Sequence, residues 1–333
     1  MKRSVFVVIA LALALLGSGA AWYRMSVSVG GSAEPWARGA AMPTARSEMP
    51  AAALDGLIYV PGGLGAFGRI LNAFEAYDVA GDEWVSLEPL PVGLHHAGAA
   101  AVDGRIYVAG GYSDLGFTLD NPRTWAYDPS QDRWQRVSDM PAPRAAHALV
   151  VLDGLIYAVG GAGSRGAELW AYDPAEDAWR SGLAAMPTPR EHLTAVAAGG
   201  QLYAIGGRSG GGNLATVEIY DPGEDAWTSV ADMPTARSGL SASAVAGEIH
   251  VAGGEDLTSS GTFEAHEVFD PQTGEWREGV PLGAPRHGLA SAAVGDAWYV
   301  IGGATRAGAE TVVSLTDAVD ILRLGEGREH ANR

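Results

Sequence analysis

The chain has 333 residues, of which 47% are apolar and 18% charged, so it can bury a substantial core. Its formal net charge of −17 argues against nucleic acid as a partner, because phosphate binding requires a basic face. The absence of cysteine excludes disulfides, thiolate metal sites and a cysteine nucleophile. The 46 glycines favour many tight turns over long helices.

Residues 1–24 are predicted to be a targeting segment. Lys2 and Arg3 precede the apolar run "VFVVIALALALL" and the small residues "GSGAA". Cleavage near Ala21 would make this segment a signal peptide, whereas Trp22 and Tyr23 at a bilayer interface would suit an uncleaved anchor. Both alternatives predict an extracytoplasmic protein, which is periplasmic, secreted or anchored, and which contacts a membrane only through its N-terminal segment. A linker at 25–35 follows.

A unit of about 45 to 50 residues then recurs six times. Each copy contains a Gly-Gly pair after an apolar run: Gly62-Gly63, Gly110-Gly111, Gly160-Gly161, Gly206-Gly207, Gly253-Gly254 and Gly302-Gly303. Five copies continue with an aromatic-Asp pair: Tyr77-Asp78, Tyr127-Asp128, Tyr172-Asp173, Tyr220-Asp221 and Phe269-Asp270. A tryptophan stands seven positions after each aromatic residue: Trp84, Trp134, Trp179, Trp227 and Trp276.

Each unit reads as four short β-strands separated by turn signals. The strands are apolar at successive positions, which predicts that both faces of each sheet are buried. Four-stranded sheets stacked face to face around an axis, as in a β-propeller, satisfy that requirement. The tryptophans are expected to pack between neighbouring sheets.

The arrangement resembles the kelch repeat from Trp36 to about Leu324. The resemblance implies an all-β, six-bladed kelch propeller of the exported bacterial type at residues 36–324, with a disordered tail at 325–333. In the last copy "VDILRL" occupies the aromatic-Asp strand but no tryptophan follows, while Trp36 has no earlier strand to join. We therefore predict that the N-terminal strand closes the last blade and removes an open sheet edge.

Five arginines each stand 16 positions before a Gly-Gly pair: Arg46, Arg144, Arg190, Arg237 and Arg286. In the remaining copy Leu94 takes that position and is followed by His95 and His96. The stretch from Gly-Gly to the aromatic residue varies most in length, and these variable loops should share a rim with the start of the first strand.

Because the first strand of a kelch blade is innermost, the resemblance implies an arginine ring at the channel mouth, with His96 near the gap. The predicted ligand-binding residues are Arg46, His96, Arg144, Arg190, Arg237 and Arg286. Their expected ligand is an anionic small molecule, an acidic glycan or a peptide. The structural alternative is that each guanidinium satisfies carbonyl groups around the glycine pairs.

Other motifs give weaker signals. Two matches to G-x-G-x-x-G, "GLGAFG" and "GAGSRG", precede strands rather than helices, so we interpret both as loops. His95 and His96 should point to opposite faces of a strand, and the sequence predicts no metal site, cofactor or catalytic residue. Carboxylates that could still serve as acid and base are Asp114, Asp120, Glu255, Asp256 and Glu264.

The function predicted from these features is a monomeric, exported binding scaffold that uses the rim of arginines and variable loops. Binding is favoured over catalysis because no set of catalytic residues can be named. Galactose oxidase-like chemistry is excluded, because it needs a cysteine cross-linked to a tyrosine beside copper. The alternative is an enzyme similar to the sialic acid mutarotases. Such an enzyme would need an acid, a base and an arginine for the sugar carboxylate.

Overall fold

The structure, a computed structural model, describes residues 36–163, 165–210 and 212–324. The predicted targeting segment at 1–24, the linker at 25–35 and the predicted tail at 325–333 lie outside the described residues. Within the described ranges, no helix is both long and apolar enough to cross a bilayer.

The described chain is built almost entirely of short strands that form six four-stranded sheets. The N-terminal strand and the first two blades comprise β1 (Ala37–Arg38), β2 (Ala52–Leu54), β3 (Leu57–Pro61), β4 (Phe74–Asp78), β5 (Glu83–Ser86), β6 (Gly98–Val102), β7 (Arg105–Ala109), β8 (Thr124–Asp128) and β9 (Arg133–Val137). The third blade comprises β10 (Ala148–Leu152), β11 (Leu155–Val159), β12 (Trp170–Asp173) and β13 (Ala178–Arg180). The fourth blade comprises β14 (Thr194–Ala198), β15 (Gln201–Ile205), β18 (Val217–Asp221) and β19 (Ala226–Ser229). Between β15 and β18, the strands β16 (Arg208–Ser209) and β17 (Gly212–Asn213) form a loop hairpin. The fifth blade comprises β20 (Ser241–Val245), β21 (Glu248–Ala252), β24 (His266–Asp270) and β25 (Glu275–Glu278), with β22 (Glu255–Asp256) and β23 (Gly261–Thr262) as a loop hairpin between β21 and β24. The sixth blade comprises β26 (Ala290–Val294), β27 (Ala297–Ile301) and β28 (Val319–Arg323). Two 3₁₀ turns, Ala66–Gly68 and Gly308–Val313, lie in the variable loops.

The predicted closure of the ring is confirmed. The sixth sheet has the order β1-β28-β27-β26, so the N-terminal strand supplies its outer edge. Ala37 pairs with Ile321, and the indole N–H of Trp36 donates to the carbonyl of Val280 at 2.9 Å. The chain is thus an all-β, six-bladed propeller. The strand β28 takes the place of the aromatic-Asp strand, but Asp320 is not equivalent to the Asp of that pair. It pairs with Val300 as Glu75 of the first blade pairs with Val60, so Asp320 and Glu75 occupy equivalent positions.

The tryptophans connect neighbouring blades, as expected. Each donates its indole N–H to a carbonyl of the preceding blade, in the pairs Trp84–Ala40, Trp134–Glu88, Trp179–Ser138, Trp227–Ala184 and Trp276–Ala231. Trp36 makes the sixth equivalent bond. Because the core lies between blades, its clusters mix residues of two sheets, such as Tyr77 of the first blade with Tyr299 of the sixth.

A closed circle of backbone hydrogen bonds lies at the channel mouth. Its six members, the ring residues, stand two positions after the arginine position: Glu48, His96, Ala146, His192, Gly239 and Gly288. Each N–H donates to the carbonyl of the preceding ring residue at 2.7–2.9 Å, and the bond from Glu48 to Gly288 completes the circle. All six have a left-handed backbone, with φ between 51° and 63°. The circle fixes where their side chains begin.

The closure generates the first prediction. A chain that starts at Ala45 lacks β1 and Trp36, which exposes the edge of β28, so we expect it to aggregate or to melt at a much lower temperature. A chain that starts at Ala33 retains both features and is the matched control. Thermal melts followed by circular dichroism provide the comparison. Equal melting temperatures for the two chains would contradict the closure.

Candidate binding site at the channel mouth

The five predicted arginine side chains are buried inside the blades. Each guanidinium donates to the second-strand carbonyl 14 residues further on: Val60, Ala158, Ala204, Val251 and Val300. Four also form ion pairs with a third-strand carboxylate: Arg46–Glu75, Arg190–Glu218, Arg237–Glu267 and Arg286–Asp320. The expectation of an accessible ring of Arg46, Arg144, Arg190, Arg237 and Arg286 is therefore wrong. The side chains extend into the sheets, and their contacts match the structural alternative.

The two exceptional blades support the same conclusion. In the third blade Trp170 replaces the carboxylate, and the guanidinium carbon of Arg144 lies 3.5 Å from the centre of its ring. Burial lowers the pKa of Arg144 to about 10. In the second blade, which has Leu94 instead of arginine, Trp125 occupies the carboxylate position. Arginine and acid are lost together there, so Leu94 does not show that an arginine alone is dispensable.

Polar side chains from three sets of equivalent positions meet at the channel mouth instead. The positions are the residue after the arginine position, the ring residue, and the residue after Gly-Gly. Backbone bridges such as His95–Tyr112 and Glu191–Arg208 join the first set to the third. We call the following eight residues the mouth cluster: Glu48, His95, His96, Glu191, His192, Arg208, Glu255 and His287. Of the predicted ligand-binding residues, only His96 belongs to it, and of the carboxylates considered as acid or base, only Glu255 does.

His95 and His96 do not diverge as expected for adjacent strand residues. His96 has φ of 56°, so strand alternation does not apply, and the two Nδ1 atoms lie 2.6 Å apart. Nε2 of His95 contacts the carbonyl oxygen of Asp114 at 3.0 Å, and Nε2 of His96 lies 3.1 Å from Oε2 of Glu48. Burial lowers the pKa of His95 and, together with the neighbouring His192, His95 and Arg208, holds the pKa of His96 well below its ordinary value.

Arg208 connects the fourth and fifth blades within the cluster. Its Nε donates to Glu191 at 2.9 Å and one terminal nitrogen to Glu255 at 2.9 Å. The other terminal nitrogen lies 3.1 Å from Nε2 of His192. The contact with His192, followed by that with Arg208, lowers the pKa of Glu191 to about 2. Each of the three guanidinium nitrogens of Arg208 therefore has a partner within the mouth cluster.

His287 completes the cluster from the sixth blade. Its Nε2 lies 3.0 Å from the carbonyl oxygen of Arg306, and its Nδ1 lies 3.4 Å from Glu48 and 3.3 Å from Glu255. The cluster as a whole combines three carboxylates with one guanidinium and four imidazoles. Below it, the ring residues and the starts of the inner strands line a cavity of about 170 Å³. This charge distribution suits a cation or a hydrogen-bond donor better than an anion.

Large apolar side chains are exposed in the loops around the mouth. Five of the six exposed large apolar residues among those described lie in loops between second and third strands: Phe67, Leu115, Phe117, Leu257 and Val313. Phe67 is 84% exposed, and both phenylalanines have a left-handed backbone, which is rare for bulky residues. The ring of Phe117 packs against those of His95 and His96. We call these five residues the apolar rim.

Sequence reasoning missed most of the mouth cluster, although a signal was present. The triplets at the arginine position read "RSE", "LHH", "RAA", "REH", "RSG" and "RHG". The residue at the first position of each triplet belongs to the repeated scaffold. The residues at the second and third positions vary, and they supply six of the eight residues of the mouth cluster. The buried ion pairs also had a signal, because glutamate stands two positions before the aromatic residue in "FEAYD", "VEIYD" and "HEVFD".

Fold and site together define a closed six-bladed propeller with a candidate binding site at its channel mouth. The family described as the KLHDC2/KLHL20/DRC7 Kelch-repeats domain matches residues 33–184 and 183–303, and the chain belongs to this kelch-repeat family. A solved structure described as "Structure of YjhT" has a similar fold, with a TM-score of 0.74 and 19% identity over 86% of this chain and 97% of that chain. The similarity at this identity extends to the fold alone. No curated protein matches the chain.

The buried ion pairs generate the second prediction. Arg237→Gln leaves the Glu267 carboxylate buried without a counter-charge, which should lower the free energy of unfolding by about 3–5 kcal/mol. Adding Glu267→Gln should recover part of that loss. Arg136→Gln removes an exposed ion pair with Asp139 and is the control, in which stability should not change. Urea denaturation gives the three values. A loss below about 1 kcal/mol in Arg237→Gln would contradict the structural role.

Proposed function

We propose that the protein is a binding scaffold that presents the apolar rim to a protein partner. The observation that carries this proposal is the placement of the exposed apolar residues, five of which lie in loops around one channel mouth. Exposed aromatic and aliphatic side chains grouped in this way are typical of protein interaction sites. The targeting sequence at 1–24 supports an extracytoplasmic location for this role.

The loops that carry the apolar rim support one another. Leu115 of the second blade lies directly over Gly68 of the first, where an added Cβ would meet it at 2.9 Å. The 3₁₀ turns Ala66–Gly68 and Gly308–Val313 are also in contact, which joins the first and sixth blades. Loops braced in this manner lose little conformational entropy when they bind, because they are already ordered. The apolar rim is thus a preformed surface.

The strained aromatic residues also favour a binding role. Phe67 combines 84% exposure with φ of 56°. Neither feature stabilises the free protein, since the ring buries little and the backbone conformation is unfavourable for a residue with a Cβ. An aromatic ring held in this manner suits an anchor that enters a pocket on a partner, as interface hot-spot residues do.

The mutarotase alternative receives less support. His96 and Glu48 are adjacent and could supply an acid and a base. The arginines expected to hold a sugar carboxylate are buried, however, and Arg208 is engaged by Glu191 and Glu255. The excess of carboxylates at the mouth also disfavours the anionic ligand expected from the sequence. The geometry therefore favours protein binding.

The third prediction concerns Phe67 and Val313, the two most exposed members of the apolar rim. Phe67→Ser/Val313→Ser should reduce partner capture at least tenfold, because it removes the apolar contacts without touching the core. Val85→Ser removes an exposed apolar residue from β5, away from the apolar rim, and is the matched control. The measurement is quantitative mass spectrometry of proteins cross-linked to each variant in the native extracytoplasmic fraction.

Capture of the same proteins by the wild type and by the control, but not by the rim variant, is the expected result. Equal capture by all three chains would contradict the proposal. Accelerated mutarotation of N-acetylneuraminate by the wild type, abolished in Glu48→Gln, would favour the enzyme instead.

A further inference from the structure

The carboxylate of Glu48 has unusual surroundings. Its side chain is only 10% exposed, and in the described part of the chain its close polar neighbours are ring nitrogens. Oε2 lies 3.1 Å from Nε2 of His96, and Oε1 lies 3.4 Å from Nδ1 of His287. A buried carboxylate needs hydrogen-bond donors or a cation. Whether these nitrogens can donate depends on the tautomer of each imidazole.

The tautomer of His96 follows from a chain of contacts. The Asp114 carbonyl can only accept a hydrogen bond, so Nε2 of His95 carries the hydrogen and Nδ1 of His95 has a lone pair. That lone pair lies 2.6 Å from Nδ1 of His96, which must therefore donate to it. With Nδ1 engaged by His95, the nitrogen of His96 that remains for a ligand is Nε2, which lies 3.1 Å from Oε2 of Glu48.

His287 repeats the arrangement on the other oxygen of Glu48. Its Nε2 faces the carbonyl oxygen of Arg306 at 3.0 Å and so carries the hydrogen. Its Nδ1 has no hydrogen-bond partner in the described residues and faces Glu48 and Glu255. Both oxygens of Glu48 thus face imidazole nitrogens, and a cation could bind to the carboxylate together with such a nitrogen.

A third donor comes from the ring residue of the fourth blade. One ligand atom each of Glu48, His96 and His192 lie within 4.8 Å of one another. The His192 side chain is 7% exposed, and its Nδ1 lies 3.5 Å from Glu191. A carboxylate beside the second nitrogen of a histidine is the usual support of a metal-bound imidazole, because it fixes the ring and its tautomer. Nε2 of His192 is the corresponding ligand atom.

We propose that Glu48, His96 and His192 form a binding site for a divalent transition-metal ion of the zinc type. Two imidazoles and one carboxylate match the ligand preference of such ions. With bonds of about 2.1 Å, the 3.1 Å between His96 and Glu48 corresponds to an angle of about 95° at the metal. A donor pair 4.8 Å apart would need to approach by roughly 1.4 Å to reach the separation of about 3.4 Å that such bonds give in a tetrahedral site. This metal site is a proposal in addition to the proposed protein-binding function and does not depend on it.

The surroundings favour a cation in charge and in geometry. Glu48, Glu191 and Glu255 bring three negative charges near the site, and Arg208 contributes one positive charge. The three ligands are ring residues, so the closed circle of backbone hydrogen bonds holds their Cα atoms in place. Preorganised ligands lose little entropy on binding an ion.

Arg208 competes with the ion. Its terminal nitrogen lies 3.1 Å from Nε2 of His192, on the side where the ion would bind. The guanidinium must leave this nitrogen when the metal arrives, while its bonds to Glu191 and Glu255 remain. A shorter, uncharged side chain at position 208 should therefore strengthen metal binding.

The fourth prediction is tested by calorimetric titration of ZnCl₂ into the full-length protein without a histidine tag. The wild type should bind one Zn²⁺ per chain. Glu48→Gln, His96→Ala and His192→Ala should each weaken binding at least tenfold, and Arg208→Gln should strengthen it. Alanine is tolerated at a ring position, because Ala146 occupies one with φ of 52°. His147→Ala is the matched control, since His147 is a buried histidine near the mouth but outside the site. The zinc affinity of this variant should stay within threefold of that of the wild type.

Absence of saturable 1:1 binding to the wild type, or unchanged affinity in Glu48→Gln, would overturn the proposal. A proton shared between His96 and Glu48 would then satisfy the site. Weaker binding in Arg208→Gln would likewise contradict the ligand set. X-ray absorption of the wild-type zinc complex does not depend on any variant folding. Two imidazole ligands are expected, and a spectrum with none or one would overturn the assignment.

Discussion

Six left-handed residues hydrogen-bond to one another in a circle at the channel mouth, and the positions of scaffold and site both follow from that circle. It joins the inner edges of all six blades, while the tryptophan bonds join each blade to the next. The left-handed backbone costs a residue with a Cβ roughly 1–2 kcal/mol, which glycine avoids. Gly239 and Gly288 fit this requirement, and Glu48, His96 and His192 do not. Ala146 shares the strained backbone, and the other three strained residues are the proposed metal ligands.

The molecule divides its residues between two tasks. Those that recur in the repeats hold the blades together: the arginines bind second-strand carbonyls and third-strand carboxylates, and the tryptophans bridge blades. Residues at adjacent positions, which differ from blade to blade, form the mouth cluster. The circle brings these individual residues together because equivalent positions of a closed propeller converge on its axis. The candidate functional residues therefore stand at the positions where the repeats differ.

The sequence was sufficient to predict the fold, because local signals and closure agreed. Gly-Gly pairs, turn aspartates and spaced tryptophans each specify one feature of a blade, and the unpaired Trp36 specified the closure. The prediction for the arginines fails because repetition in a propeller marks residues of the scaffold, and the glutamate of "FEAYD" is the sequence signal of their buried partner. The pairing of His95 with His96 could not be predicted, since strand alternation assumes an extended backbone and His96 is left-handed. Convergence of Glu48 with His192 depends on the circle itself, which no local pattern reveals.

Amide hydrogen exchange of the ring residues tests the central role of the circle most directly. If the circle is closed and supports the propeller, the amides of Glu48, His96, Ala146 and His192 should exchange only through global unfolding. Their protection should then equal that of inner-sheet amides such as Ile58 and Val108, and should fall by the same factor when denaturant is added. Exchange of the ring amides by local opening, orders of magnitude faster than that of the inner strands, would contradict the account.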